Sequence, residues 1–545
     1  MKTIFWSGKS SFLLVLLVIG VLGACKKSKV TSEPDPVAPP GGPNTQQTAT
    51  TNRTELTNDS LFLYAKQMYY WNTALPSYDA FRPRQYNTLS TDLLNYNNNL
   101  FNLVKASGSA DYVAADNDTK YSYIADVTQA NPNASGNLPN TKLSVDLEGN
   151  GNDTGIMWLP FGTNNSYTIF VTMASPGSDA EAQGVKRGWA ISKINGISYG
   201  TNYPGEYSSI YNELAKSSVR IEGNKIVNGV QGEAFNVTLT KRSYVSSPIY
   251  ASKVITSGNK KIGYVAYGRF SNEANSFAAL ENVFTTFSSQ GVTDLVVDLR
   301  YNGGGYINTA EHLINLIAPS SASGVMYKEY YNSDMQNKRA LILKNQPYTD
   351  AEDKIRYKTV GGVQVMMNLY DDIDYTVAKN TYNFAKFGNL TGVTNIVFLV
   401  TRNTASASEL VINSLKPKMN VKLVGRTTYG KPIGFFPIRL QNRYDVYYSL
   451  FETKNSLDQG GYFSGMTPDY ELTENPSYQL GDEKEIYLAK AISILNPAAT
   501  TTGIAKGAIM SINGKQINLD SPNSIAPIDQ PGSFVGMIED RFKRK

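Results

Sequence analysis

The chain has 545 residues, 41% apolar and 18% charged, which is ample material for two or three hydrophobic cores. Its formal charge of +5 is small for this size and its Lys and Arg are scattered, so it carries no footprint for nucleic acid. It has one cysteine, Cys25, which excludes an intrachain disulfide, and one histidine, His312, so a catalytic base has to be sought among other residue types.

Lys2 and Lys9 precede the apolar run Phe12-Leu-Leu-Val-Leu-Leu-Val-Ile-Gly-Val-Leu22. A membrane-spanning helix needs about 20 apolar residues, so this shorter run predicts a signal peptide over residues 1–24. Leu22-Gly-Ala-Cys25 resembles the lipobox of bacterial lipoproteins, which implies lipidation of Cys25 and attachment to a membrane. Residues 25–54 are rich in Pro, Thr, Ser and Gln and predict a flexible tether with a span on the order of 30 Å. Lys26-Lys-Ser-Lys29 is basic rather than acidic, and the expected location is the periplasmic face of the cell envelope.

Residues 55–150 open on Ser60-Leu-Phe-Leu-Tyr-Ala-Lys-Gln-Met-Tyr-Tyr-Trp71, whose apolar spacing predicts a helix and an N-terminal helical region. Residues 151–245 are strand-rich. Ser175-Pro-Gly-Ser-Asp-Ala-Glu-Ala-Gln-Gly-Val-Lys-Arg-Gly188 leads into Ala190-Ile-Ser-Lys-Ile-Asn-Gly196, and Ala234-Phe-Asn-Val-Thr-Leu-Thr240 follows as a further strand. This order resembles a PDZ domain, with Trp189 where an aspartate is usual. The resemblance implies capture of an extended peptide as an added strand and of its terminal carboxylate by loop amides. Gly155, Ile156 and Met157 are the candidate residues for that loop and strand.

Asp294-Leu-Val-Val-Asp-Leu-Arg-Tyr-Asn-Gly-Gly-Gly-Tyr306 reads as an apolar strand ending in a glycine turn, followed by a helix from about Thr309. Glycines there let the backbone approach a substrate and aim N–H groups at developing negative charge. Gly303-Gly-Gly305 lacks the spacing of a dinucleotide fingerprint and is not followed by the Gly-Lys-Ser/Thr of a P-loop. Residues 322–389, polar and Tyr-rich, read as an insert with the character of a lid or specificity element. Asn395-Ile-Val-Phe-Leu-Val400 predicts a buried strand and Ser408-Glu-Leu-Val-Ile-Asn-Ser-Leu415 a helix, which places Ser406 at a strand-to-helix turn. Such a turn sets a hydroxyl beside free helix N–H groups. Lys431 lies in Thr427-Thr-Tyr-Gly-Lys-Pro-Ile-Gly-Phe-Phe436, where apolar neighbours can bury it; desolvation disfavours an ammonium, so a buried lysine can serve serine as a base. Residues 497–545 form a tail to which the sequence assigns no role.

Asp298-Leu-Arg-Tyr-Asn-Gly-Gly-Gly305, Thr404-Ala-Ser-Ala-Ser-Glu409, Tyr429-Gly-Lys431 and Gly465-Met-Thr-Pro-Asp469 stand in the order seen in the C-terminal processing, or tail-specific, serine peptidases of family S41, which the chain resembles from about residue 55 to 496. The resemblance implies a multidomain α+β protein: an N-terminal helical region, a PDZ-like β-rich domain, and an α/β catalytic core of the S41/crotonase-like type over residues 246–496. It also implies a Ser406/Lys431 dyad acting through an acyl-enzyme on unstructured or C-terminal segments of proteins. The oxyanion hole would come from backbone N–H groups of Ala407 and of Gly303 or Gly304, with no cofactor and no metal. Many bacterial members have a glutamine four positions after the lysine, where this chain has Phe435. That departure keeps a second expectation open, a weakly active or inactive peptide-binding lipoprotein on a protease scaffold. His312 is expected on a helix face.

Overall fold

The computed structural model describes residues 48–114, 117–128, 145–350, 354–498, 509–512, 514–518 and 535–539. The expected signal peptide, Cys25 and most of the expected tether lie outside the described residues. Helix α1 (Arg53–Met68) starts where the Asn52 side chain accepts from the N–H groups of Thr54 and Glu55. Helix α2 (Asp92–Ser107) is capped by Thr91 and stopped by Gly108 in the left-handed conformation. Leu61, Phe62, Ala65 and Met68 of α1 and Tyr96, Leu100 and Leu103 of α2 belong to the same apolar core as the main sheet described below. The chain then adds the short strand β1 (Tyr123–Asp126).

Residues 156–240 form a separate antiparallel sheet. Its strands are β2 (Ile156–Thr163), β3 (Ser166–Ala174), β4 (Trp189–Ile194), β5 (Ser218–Val227) and β6 (Val230–Thr240), and helix α3 (Tyr203–Leu214) lies between β4 and β5 in sequence. The strand order is β6-β5-β4-β3-β2, so β2 is an edge. Alternation along the strands splits the side chains between two faces. Trp158, Tyr167, Ile169, Val171 and Ile191 pack with Ile210, Tyr211 and Leu214 of α3, while Leu159, Phe161, Phe170, Ala190 and Ile226 form a second cluster on the opposite face.

The main sheet is built from β7 (Ile249–Ser257), β8 (Lys260–Tyr267), β9 (Asp294–Asp298), β12 (Asn395–Val400), β13 (Asn420–Gly425) and β17 (Tyr470–Glu471), in the order β7-β8-β9-β12-β13-β17. Only β7–β8 pair antiparallel. Parallel neighbours need crossovers, and helices supply them: α4 (Glu273–Ser289) joins β8 to β9, α5 (Ile307–Ile317) follows the glycine strand β10 (Gly304–Tyr306), and α6 (Ala407–Leu415) joins β12 to β13. Leu295, Val297, Ile396 and Phe398 share a core with these helices, whereas Val296, Val397 and Leu399 pack under α7 (Ile486–Leu495). Both faces of the sheet are covered, and the unbroken apolar runs of β9 and β12 follow from that.

Strand β11 (Val325–Tyr331) pairs with β16 (Phe451–Asn455), which pairs in turn with β14 (Ile433–Gly434); β15 (Tyr444–Tyr447) pairs with β1. The insert therefore differs from a detached lid. Met326, Tyr327, Tyr331, Met335 and Leu343 are buried in the main core, while the hairpin around Val360 and Val363 stands exposed, as do Leu341 and Phe387. The tail returns to the body in two places. A hairpin of β18 (Ile509–Ile512) and β19 (Lys515–Asn518) sets Ile512 and Ile517 against Leu159, Phe161 and Phe170 of the first sheet, and strand β20 (Gly536–Ile538) pairs parallel with β10.

Candidate active site

β12 ends at Val400, and the backbone then makes a tight, fully hydrogen-bonded turn. The Thr404 hydroxyl donates to Leu299 O at 2.8 Å, Thr404 N–H to Thr401 O at 3.0 Å, and Ala405 N–H to Asn302 O at 3.1 Å. Ser406 is forced to φ 60, ψ −109 immediately before α6. A non-glycine residue held there costs about 1–3 kcal/mol and persists only where its surroundings over-determine it. Here Glu409 does so: its carboxylate accepts Ser406 N–H at 2.8 Å. The Ser406 side chain is fully buried, and its Oγ has no hydrogen-bond partner among the described residues.

The same carboxylate holds the lysine. Glu409 accepts Gly430 N–H and Lys431 N–H, each at 2.8 Å, as well as the Thr428 hydroxyl. Ser406 N and Lys431 N share the single oxygen Oε2, so they can be no further apart than twice that hydrogen-bond length. Gly430 adopts φ 86, and a Cβ there would meet Gly465 N at 2.3 Å. This explains why Tyr429-Gly-Lys431 and Gly465-Met466 are found together, pinned by Thr428 N–H to Met466 O and by Met466 N–H to the Thr428 hydroxyl. Burial lowers the Lys431 pKa to about 7; Asp111 and Glu409 oppose the shift, and Lys120 adds to it. The Nζ lies 4.3 Å from the centre of the Phe435 ring and donates to Val535 O at 2.9 Å. An aromatic face and a main-chain carbonyl thus stand where many bacterial members of the resembled family have a glutamine.

The third wall is the glycine turn. Asn302 donates to Tyr267 O and accepts Gly304 N–H at 2.9 Å, and Phe270 N–H donates to Gly304 O. A Cβ on Gly304, whose φ is 107, would lie 3.1 Å from Ala407 N and 2.2 Å from Gly536 O. The turn and the first residue of α6 are therefore adjacent. The Gly304 N–H is already committed to Asn302.

The remaining predicted residues lie in other elements. Gly155 N–H is taken by Asp153 and Gly155 O by Ser175 N–H, Ile156 is buried, and Met157 is half-buried near the Tyr250 hydroxyl. His312 is on α5, stacked on Phe277 at 4.0 Å and 3.1 Å from Glu281, as expected of a helix-face residue. Sequence reasoning missed Tyr121, whose hydroxyl donates to Gly430 O at 2.6 Å, and gave Glu409 no more than a structural place. For Glu409 a signal existed: Ser406-Ala-Ser-Glu409 has the S-x-x-E spacing of a capping box, and Glu409 supplies the arm of it that reaches back to the Ser406 N–H.

A parallel α/β sheet, a strained and unpartnered serine on its strand-to-helix turn, and a buried lysine tied to the same carboxylate make a scaffold of the serine-hydrolase kind. Residues 261–472, which contain all three turns, match Peptidase family S41. A C-terminal processing peptidase from chloroplasts of Tetradesmus obliquus is 24% identical over 291 residues, 52% of this chain and 52% of that protein. A carboxyl-terminal-processing protease of Picosynechococcus is 22% identical over 334 residues, 60% of this chain and 66% of that protein. The chain spans about half the length of the first of these relatives and about two thirds of the second. A crystal structure from Bacteroides fragilis ascribed to the S41 proteases superposes with a TM-score of 0.54 at 20% identity, covering 83% of this chain and 99% of that one, and so shares its fold. Residues 261–472, which carry the serine, lysine and glycine turns, are thus similar to the S41 peptidases.

Proposed function

We propose that the chain is a serine endopeptidase that cuts unstructured or C-terminal segments of proteins. Ser406 Oγ attacks the scissile carbonyl while Lys431 Nζ, in its neutral form, takes the hydroxyl proton. The N–H groups of Ala407 and Gly303 receive the oxyanion. Collapse of the tetrahedral intermediate breaks the C–N bond, and the lysine returns the proton to the leaving amine. Water then repeats the sequence on the acyl-enzyme. The observation that carries this reading is the bridge made by Glu409, which fixes the backbones of both residues to one oxygen and leaves Ser406 Oγ unpartnered beside a lysine whose pKa burial lowers to about 7. A general base works best with a pKa near the operating pH.

The sheet of β2–β6 with α3 would act as the PDZ-like receptor for a substrate tail, with edge strand β2 as its pairing edge. Lipidation at Cys25 would hold the protein at a membrane of the cell envelope, facing the periplasm. Among the described residues no helix is long and apolar enough to cross a membrane. The test is incubation of the purified chain and its Ser406→Ala form with casein, with fragments read by mass spectrometry. Cleavage by the first and none by the second is expected. Equal cleavage would refute Ser406 as the nucleophile, and no cleavage by any form across a panel of unfolded proteins would favour a peptide-binding protein.

A further inference from the structure

The cleft between the glycine turn and the lysine strand is already filled. Gly536, Met537 and Ile538 of β20 pair in parallel register with Gly304, Gly305 and Tyr306, and Gly536 N–H donates to Gly303 O at 3.0 Å. On its other side β20 bonds the strand that follows Lys431: Phe435 N–H donates to Met537 O at 3.1 Å, and Glu539 N–H to Phe435 O at 3.0 Å. Val535 O accepts from Lys431 Nζ, the Gly536 carbonyl abuts Gly304, and Met537 is completely buried. Five consecutive residues thus satisfy donors and acceptors of both catalytic walls, while Ser406 Oγ and Lys431 Nζ make no hydrogen bond to each other. An enzyme resting with its lysine bound to a foreign carbonyl has not formed its dyad.

We infer that the channel between Gly303–Tyr306 and Phe435 is the seat for an extended polypeptide, and that Val535–Glu539 of the chain's own tail occupies it as a built-in competitor displaced by an incoming segment. The seat takes main chain through ladder hydrogen bonds. It selects a small residue where Gly536 lies against Gly304 and a long unbranched apolar side chain in the place of Met537, so the segment that displaces the tail contains a stretch reading small–apolar–apolar. The first sheet meets the same tail at Ile512 and Ile517, so one polypeptide touches both the proposed tail receptor and the catalytic cleft. The peptidase reading is needed only to call the displacing segment a substrate; the occupancy can be tested without it.

Tyr306 and Ile538 are register partners and neither is catalytic, so a Tyr306→Cys, Ile538→Cys pair in the full chain with Cys25→Ser can lock the strand in place. The probe is a fluorescent peptide with the sequence of residues 533–541. When the pair is reduced, the peptide should bind and inhibit competitively, raising KM and leaving kcat unchanged. When the pair is oxidised, binding and casein cleavage should both fall at least tenfold and return with dithiothreitol. Met537→Asp in the full chain should raise kcat/KM at least fivefold, and the same change in the peptide should weaken it at least tenfold. Unchanged peptide binding and turnover between the oxidised and reduced forms would overturn the inference and make β20 a permanent part of the fold. If no form cleaves any protein, the peptidase reading fails, and the difference in peptide binding between the two redox states still decides whether the seat exists.

Discussion

Two groups of buried cations lie beside the C-terminal ends of the sheet strands, and the protein treats them in opposite ways. Arg300, 1% exposed, is paired with Asp298 at 2.9 Å and Glu485 at 3.0 Å, and Arg187 reaches across from the first sheet to Glu474 and the Tyr301 hydroxyl. Burial alone would raise the Glu474 carboxyl, but Arg187 and Arg300 outweigh it and hold it below its usual range. Lys431, equally buried, forms no ion pair among the described residues; its Nζ meets a ring and a peptide carbonyl, and Asp111 and Glu409 offset its burial only in part. Similar burial thus produces a fixed structural charge where carboxylates compensate it and a titratable base where they do not. The nearest carboxylate to the lysine turn, Glu409, is spent on backbone N–H groups instead. Guanidinium suits the first task because it stays charged, and a primary amine the second because it can give up its proton.

Exchanging the two chemistries should have the largest effect. Lys431→Arg places a permanent cation where a base is needed, and kcat should fall by about 10^3 or more, as when a catalytic base is lost. Lys431→Met should be equally inactive but more stable than the parent at pH 6. The unfolded lysine titrates near 10.4 and the folded one at about 7. Folding therefore sheds a proton between these values, and the parent's stability rises with pH through that window, a slope the methionine variant lacks in thermal melts. Glu409→Gln comes next. A carboxamide cannot accept from Ser406, Lys431 and Gly430 N–H groups together, so kcat should drop about 10^2 with KM little changed. Arg187→Met should do the reverse. It removes one counter-charge of Glu474 and costs about 3 kcal/mol of stability, visible as a lower melting temperature, with kcat retained in the folded protein.

The legibility of the site follows the same division. Strand β12, helix α6 and the turn between them could be read from Asn395-Ile-Val-Phe-Leu-Val400 and from the apolar spacing after Ser408, because a strand covered on both faces leaves an unbroken apolar run. The glycine turn was legible too, since Gly304 at φ 107 and Gly305 at φ 139 need residues without a Cβ. The commitment of the Gly304 N–H to Asn302 was not, because it depends on a side-chain rotamer. Nor were Tyr121 and Arg187, which reach their partners across hundreds of residues with no periodic pattern to mark them. Strand β20 is three residues long, too short for alternation to register, and its pairing with the catalytic turn appears only in three dimensions. The insert misled for a related reason: its tyrosines look polar and loop-like in sequence, yet Tyr327 and Tyr331 are buried in the main core.

The smallest effect concerns what fine-tunes the base. If neutral Lys431 is the acceptor, kcat/KM is half-maximal near pH 7, rises with pH, and levels off above, since the protonated form is inactive and kcat/KM reports the free enzyme. The Phe435 ring face lies 4.3 Å from Nζ and favours the ammonium, so it works against the burial that lowers the pKa. Replacing it by Leu keeps the wall apolar and removes the ring, and the lysine should become less basic. The acid limb of kcat/KM then moves to lower pH by up to about one unit, the size of a partly desolvated cation–π contact. Phe435 also packs against Tyr123 and Tyr447, so the melting temperature will fall as well. That fall cannot mimic the result, because lost packing lowers the amount of folded enzyme without moving a titration midpoint. A midpoint that moves upward would mean that Phe435 excludes water from the lysine rather than stabilising its charge, and burial alone would then set the contrast with the arginines.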